Sequence, residues 1–372
     1  MFGSIKVCHF TSAHKWNDVR IFLKECSSLA RCGFDVTLIA PNCESQKVNG
    51  INIIGIESTG EGRFFRMRKT SRKVFEKALS LNAEIYHFHD PELLPYGLKL
   101  KRLDKKVIYD AHEDLPRQIL GKFWINRFLR RPIAIAVQWY ENYVTSKLDG
   151  IITATPLICN RFKQINPVCT DINNFPLKEE LFVEAKWPEK LNEVCYIGNI
   201  SLIRGINQVM DAMEDVADAK INMAGSFSPS GLREEIIKKN SWDKVNEHGL
   251  VDRKKIAEIM ARSKAGIVTF LPLPNHIDAQ PNKMFEYMSA GIPVIASHFP
   301  LWKEIIEGND CGICVDPENP VAIGNAIKTL TGNAEEAKRM GQNGHNAIIN
   351  KYNWEVEEKK LIELYKNLCK EK

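Results

Sequence analysis

Apolar residues recur along the chain in two alternating rhythms. Nearly continuous apolar runs at residues 5–10, 35–40 and 51–57 read as strands, whereas residues 18–32 carry Ile21, Phe22, Leu29 and Ala30 at helical spacing. Gly33 supplies the stop for that helix. The alternation continues with strands at 83–88, 106–109 and 150–153, a helix around 139–147 and a turn at Thr155-Pro156. Strand–helix–strand succession predicts a parallel sheet, because parallel neighbours need a crossover. The rhythm lapses over 173–192, which holds Pro176, Pro188 and scattered charge, so a hinge is predicted there. It restarts with strands at 194–197, 221–224, 265–270, 292–296 and 312–315, interleaved with helices that begin at Ile206 and end at Arg262 and Leu330. Residues 353–368 close the chain as a polar amphipathic helix. The expected organisation is α/β: one parallel-sheet domain over 1–175, a second over 176–350, and a terminal helix over 351–372.

Composition narrows the class. A chain of 372 residues has room for two ordinary cores. With 44% hydrophobic and 26% charged residues it is typical of water-exposed globular proteins, and no apolar run approaches the ~18 residues of a membrane span. A strand is expected almost from the first residue, so no leader peptide is expected. Ten scattered cysteines form no disulfide framework and fit reduced thiols in a cytoplasm. Cys311 and Cys314 make one isolated C-x-x-C pair, which reads as small core residues and not as a zinc site.

Candidate chemistry gathers at the ends of the predicted strands. The most informative stretch is QPNKMFEYMSAGIPVIAS, residues 280–297. Pro281 suits a first helical position, which would leave the amides of Asn282, Lys283 and Met284 unpaired at the positive end of the helix. Such an end cradles phosphate, and Lys283 adds a full charge. Glu286 lies one turn further, placed to accept from ribose hydroxyls. Local physics alone equally admits a plain capped helix followed by a buried strand. A second phosphate-type turn reads GNISLIRG: Gly198, Asn199, then Arg204 just before a helix. Gly225 ends the next strand in the same way. In the first half, TSAHKWNDVR follows the first strand without any G-x-G-x-x-G, which argues against a dinucleotide oxidoreductase. It offers His14, Asp18 and Arg20; Asp18 and Arg20 read either as a helix-capping pair or as ligand groups. Two successive strands end in histidine beside carboxylates, His89-Asp90-Pro91-Glu92 and Asp110-Ala111-His112-Glu113. Both would stand at the carboxyl edge of a parallel sheet, where ligands bind.

The net charge of +5 clusters. The run from Arg63 to Lys77 and the run from Gly121 to Arg131 interleave cations with aromatics. Each reads as a solvated helix face, a nucleic-acid patch or a surface for anionic lipid; their pairing in one half favours lipid, and no nucleic-acid recognition motif accompanies them.

These motifs resemble glycosyltransferase family 4, retaining enzymes of the GT-B fold. In that family an acidic residue, seven further residues and a Glu precede a small-Gly-x-Pro-Val turn; Asp278 and Glu286 take those places, with Asp where the family usually has Glu. The H-x-H-D-P-E segment and the D-x-R-I-F helix entry are similar to further family elements, although the Gly-Gly pair common in the first loop is absent. The glycine turn at 198–205 resembles a family phosphate element, with Arg204 at its lysine position and Asn199 where a cation is usual. The resemblance implies two Rossmann-like domains facing across a cleft, with the last helix crossing back to the first domain. It implies transfer of a sugar from a nucleotide diphosphate, UDP-type before GDP-type, to a glycan or lipid-linked hydroxyl, as in bacterial envelope or capsule assembly. His89, Asp278 and Glu286 would be the catalytic set; Gly198, Asn199, Arg204, Gly225, Asn282, Lys283, Met284 and Glu286 would hold the donor. His14, Asp18, Arg20, His112 and Glu113 would face the acceptor. No tightly bound cofactor and no metal are implied. The expected location is cytoplasmic, on the inner face of the membrane if the basic runs bind lipid. A sugar-nucleotide epimerase of the same fold and a non-catalytic sugar-nucleotide-binding subunit are the competing readings.

Overall fold

The computed structural model describes residues 5–57, 66–122, 124–178, 181, 187 and 190–370, the side chains of 66 and 67 excepted. Arg63, Phe64 and Phe65 of the first basic run, Phe123 of the second, and much of 179–189 lie outside the described residues. The chain forms two units, Met1–Asn174 with Trp354–Lys372, and Phe175–Asn353.

The first unit is built on eight strands: β1 (Lys6–Phe10), β2 (Asp35–Pro41), β3 (Gln46–Val48), β4 (Ile51–Ile56), β5 (Ile85–Phe88), β6 (Lys106–Ala111), β7 (Gly150–Thr153) and β8 (Cys169–Asp171). Their order is β3-β4-β2-β1-β5-β6-β7-β8, parallel throughout except for the β3–β4 pair. A widely wound helical segment, Val19–Cys26, leads into α1 (Ser27–Arg31); α2 (Ser71–Ser80), α3 (Leu94–Lys101), α4 (Leu115–Leu120), α5 (Arg127–Thr145) and α6 (Pro156–Lys163) follow. Strands β5 and β7 are buried along their whole length, as sheet strands covered on both faces must be. Phe88 stacks on Tyr109 with ring centroids 4.9 Å apart, and Phe10, Tyr86 and Phe162 complete this core. Each such buried ring contributes roughly 1.5–3 kcal/mol over its exposed state.

The second unit carries β9 (Glu193–Ile197), β10 (Lys220–Ala224), β11 (Val245–Gly249), β12 (Ala265–Val268), β13 (Val294–Ser297) and β14 (Gly312–Val315), all parallel, in the order β11-β10-β9-β12-β13-β14. Its helices are α7 (Ile206–Glu214), α8 (Leu232–Ile236), α9 (Arg253–Arg262), α10 (Asn282–Ser289), α11 (Pro300–Ile306), α12 (Pro320–Gly332) and α13 (Ala334–Asn350). The last helix, α14 (Trp354–Lys370), belongs to the first unit: Trp354 Nε1 donates to Ser28 Oγ at 3.0 Å, and Tyr365 is fully buried there.

In each sheet the strand order reverses beside the first strand of its unit, between β1 and β5 and between β9 and β12. Loops leaving the carboxyl ends of such a pair diverge, opening a crevice where ligands bind in open α/β sheets.

Candidate functional site

At the reversal in the second unit, β9 runs into the Gly198 turn. Gly198 has φ of +99°, and a Cβ on it would lie 3.7 Å from Lys283 Cε. Gly205 (φ +77°) has no side chain to keep it off the backbone of Thr269 at the end of β12; an added Cβ would sit 2.1 Å from the Thr269 oxygen. This close approach brings Arg204 over the Phe270 ring, 5.2 Å from its centroid, where Nη1 donates to the Asn199 carbonyl at 3.4 Å. Tyr196 OH holds the Arg204 carbonyl at 2.9 Å. Lys283 points into the same place, with Nζ 4.2 Å from the Tyr196 ring centroid and 5.6 Å from that of Phe270. Its ammonium is buried and has no hydrogen-bond acceptor among the described residues. Burial, reinforced by the Arg204 charge, lowers its pKa to about 7. Two cations held close without a carboxylate on Lys283 make a site that an anion would complete.

Helix α10 starts one residue later than its sequence suggests. Pro281 is the cap, and the Met284 amide donates to the Pro281 carbonyl at 3.0 Å. The expectation of three free amides is therefore corrected: the Met284 amide is turned into the first turn, and its side chain is core. Asn282 is exposed at the helix start. Glu286 is engaged by Arg253 Nη1 at 2.7 Å. Arg253 stands 33 residues away at the start of α9, and no local signal in the sequence ties it to this carboxylate. Gly225 packs on the Gly198 carbonyl, where a Cβ would lie at 1.8 Å, so it shapes the turn by its lack of a side chain. Asp278 lies half-buried in the loop before α10, a loop pinned by Trp302 Nε1 donating to the Ala279 carbonyl at 2.6 Å.

At the reversal in the first unit, Asp110 is the hub. Arg20 Nε and Nη2 donate to its two oxygens at 2.9 and 2.7 Å, and His112 Nε2 and His89 Nδ1 reach Oδ2 at 2.8 and 3.1 Å. Burial alone would raise the Asp110 pKa, but Arg20 and His112 outweigh it and hold the carboxyl well below its usual range. An ionised Asp110 fixes every proton behind it. His89 donates from Nδ1, so its Nε2 accepts from His9 Nδ1 (3.0 Å); His9 Nε2 accepts from Tyr365 OH (3.1 Å); and Tyr365 accepts from His87 Nδ1 (2.9 Å). All three imidazoles are neutral, their pKa values lowered first by burial. Glu25, near the end of this chain, is pushed well above the usual carboxyl range by burial and by the Asp110 charge, against the pull of Arg20. The donor atoms of His9, Glu25, His87 and His89 lie within 4.8 Å of one another, the spacing of a metal ligand set, as do those of His89, Asp110 and His112. In the first group only Glu25 and the Nε2 of His87 lack hydrogen bonds, so a metal there would have to displace the relay.

His89 and Arg20, expected at the ligand, are both buried, and the ring nitrogens of one and the guanidinium of the other are hydrogen-bonded to protein atoms, with Arg20 Nη1 donating to the Ile172 carbonyl at 2.7 Å. Asp18 caps the amides of Arg20 and Ile21 and holds His14 at 3.3 Å. His14 and His112 remain at the surface, ring centroids 5.0 Å apart, above the hub. Burial would lower the His14 pKa, but Asp18 and Asp90 raise it overall. Glu113 is exposed beside them. Asp90 ties the first loop down, accepting from Thr11 Oγ1 and the Ser12 amide, both at 2.7 Å.

Residues 20–171 match the family described as Glycosyltransferase Family 4, and residues 178–347 match that described as Glycosyl transferases group 1. The chain belongs to glycosyltransferase family 4. It is a transferase of the GT-B fold. An uncharacterized glycosyltransferase of Methanocaldococcus jannaschii is 21% identical over 365 residues, 91% of each chain. Sucrose-phosphate synthase from Thermosynechococcus elongatus superposes with a TM-score of 0.79 at 16% identity, covering 99% of this glycosyltransferase and 100% of that chain. Anabaena HepE, solved in complex with UDP, gives 0.74 at 13% identity, over 97% and 100% of the two chains.

Proposed function

We propose that this glycosyltransferase moves a sugar from a nucleotide diphosphate, UDP-sugar in preference to GDP-sugar, to a hydroxyl of a glycan or lipid-linked acceptor with retention of anomeric configuration. The reading is carried by one observation: the buried, unpartnered ammonium of Lys283 beside Arg204, at the strand reversal of the second unit. A diphosphate leaving group gathers charge as the glycosidic bond breaks, and two preorganised cations stabilise that charge without a bound metal. Glu286 exchanges Arg253 for the ribose hydroxyls, and Asp278 meets the donor sugar. On the first unit His14 and His112 receive the acceptor, while Asp110, Arg20 and His89 keep His112 in place. The UDP complex of a protein sharing this fold supports the choice of base. A role in bacterial envelope or capsule assembly, at the inner face of the membrane, fits a lipid-linked acceptor. Among the described residues no helix is long and apolar enough to cross a membrane, so contact with one would be peripheral.

The test is a thermal-shift titration with UDP, GDP and their sugars on wild type, Arg204→Ala and Lys283→Met. A ligand at ~100 times its dissociation constant stabilises by about 2.7 kcal/mol. Each substitution removes a charge-assisted contact worth about 1.5–3 kcal/mol, so affinity and transfer should fall roughly ten- to a hundredfold. Equal shifts in wild type and both variants would refute the assignment.

A further inference from the structure

Helix α5 turns an apolar face outward. Phe128 is 83% exposed, Trp139 71% and Ile135 66%, and they lie with Tyr143 at positions i, i+7, i+11 and i+15, on one side of the helix. Trp139 and Tyr143 stack at 6.1 Å. Trp124, 64% exposed just before the helix, carries Lys122 over its ring at 5.8 Å. Surface aromatics scattered singly need no explanation, but a continuous face of this size on a monomer marks an interaction site. The helix is held to its unit by its other side, through Ala134, Val144, Thr145 and the buried Glu141–Arg161 pair at 2.8 Å.

The charge along this face is predominantly positive. Residues 115–140 contain five cations (Arg117, Lys122, Arg127, Arg130 and Arg131) and no carboxylate. Among the described residues neither Arg127 nor Arg131 forms a salt bridge. Beside the face, between α4, α5 and α6, opens a cavity of about 490 Å³ whose wall includes Arg131, Ile135 and Leu120, together with Arg117 and Arg161, which are paired with Asp114 in the same wall. Aromatics and aliphatics at the level of a cationic rim match the interface of an anionic bilayer, where rings sit among headgroups and arginines meet phosphate. A second copy of the chain fits poorly, because a two-fold contact would set these cations against their own images.

The described part of the first basic run behaves otherwise. On α2, Phe75 and Val74 are buried in the core and the exposed side carries Arg72, Lys73, Glu76 and Lys77, a solvated face without apolar residues.

We infer that α5, with the cavity beside it, is a docking surface for anionic phospholipid bilayers: Phe128, Ile135 and Trp139 enter the interface, and Arg127 and Arg131 meet lipid phosphates. This names the setting of the acceptor proposed above and rests on that reading only for its use in catalysis.

The experiment is flotation of the full chain at 0.15 M salt with vesicles of phosphatidylglycerol in phosphatidylcholine, and of phosphatidylcholine alone, roughly the ionic strength at which surface charge still acts over ~8 Å. Wild type should float with the anionic vesicles only. Phe128→Ser with Trp139→Ser should abolish flotation, and Arg127→Glu with Arg131→Glu should lower partition by at least roughly fivefold per cation. The nucleotide-induced thermal shift should persist in both double variants, which confirms their fold. Flotation without any nucleotide shift in wild type would leave the surface standing and remove the donor reading. Wild type staying in solution, or variants floating as wild type does, would overturn the inference. So would a dimer in solution that the Phe128→Ser, Trp139→Ser variant dissolves while no vesicle binding is seen.

Discussion

A lysine ammonium moved from water to the space between Tyr196 and Phe270 loses hydration that two ring faces only partly restore. Lys283 titrates near 7 for that reason, burial first and the Arg204 charge second. Between about 7 and the ordinary lysine range the unfolded chain binds one proton more than the folded chain, so this group makes stability rise with pH across that window. Lys283→Met should therefore stabilise the ligand-free protein at or below neutral pH by roughly 1–4 kcal/mol, with the gain disappearing by about pH 10. Melting curves at several pH values check this. A merely structural lysine would give the opposite sign. The anion that completes the site recharges the lysine, so nucleotide binding above neutrality should take up a proton. Calorimetry in two buffers of different ionisation enthalpy reads that uptake directly.

Elements are placed by features that local propensity hides. Helix α13 starts well, with Asn333 as its cap and Glu335 and Glu336 in its first turn, but it contains Gly341 and Gly344, which weaken a helix by about 1 kcal/mol each. Its glycines face α10 and the turn after it: a Cβ on Gly341 would lie 2.1 Å from the Gly291 carbonyl, and one on Gly344 3.4 Å from Met288 Cα. Close packing against the donor-side helix thus overrides propensity. Gly341→Ala should lower stability by roughly 1–3 kcal/mol although alanine is the better helix former; denaturant titration decides, and a neutral or stabilising result would remove this account. The strands are legible because β7, β12 and β13 are buried on both faces and spell nearly continuous apolar runs, and β5 and β9 depart from this only at His87 and Glu193. The sequence pattern places a helical basic run at 121–131 and a helix around 139–147; in the structure one helix, α5, spans Arg127–Thr145 through Pro132, and its first half shows water the apolar residues that normally mark a buried side.

At the scale of the molecule, two parallel sheets each place their polar chemistry at a strand reversal, and the chain's last helix completes the first unit. Trp354 and Tyr365 of α14 are fully buried, and Tyr365 links His9 to His87. Deleting residues 354–372 removes two aromatic core side chains, each worth about 3–5 kcal/mol, and orphans two imidazoles. Hydrogen exchange of that deletion should find the first unit deprotected and Phe175–Asn353 still protected. Equal protection in both units would mean that α14 is dispensable to the first.

Sequence by itself determined the alternation of strands and helices, the parallel α/β class, and the residue types gathered at strand ends, since period and turn chemistry are local properties. It carried the glycines and the one cation, Arg204, of the 198–205 turn, where Gly198 and Gly205 take positive φ. Tertiary structure decided which polar groups face water. His89 and His112 end neighbouring strands in similar company, yet the one is sealed by His9 and Asp110 and the other reaches the surface. Arg253 meets Glu286, and Arg204 and Lys283 both stand over the Phe270 ring, across separations that no local pattern encodes. Burial and charge pairing are sums over every neighbour in space, so only the folded chain assigns them.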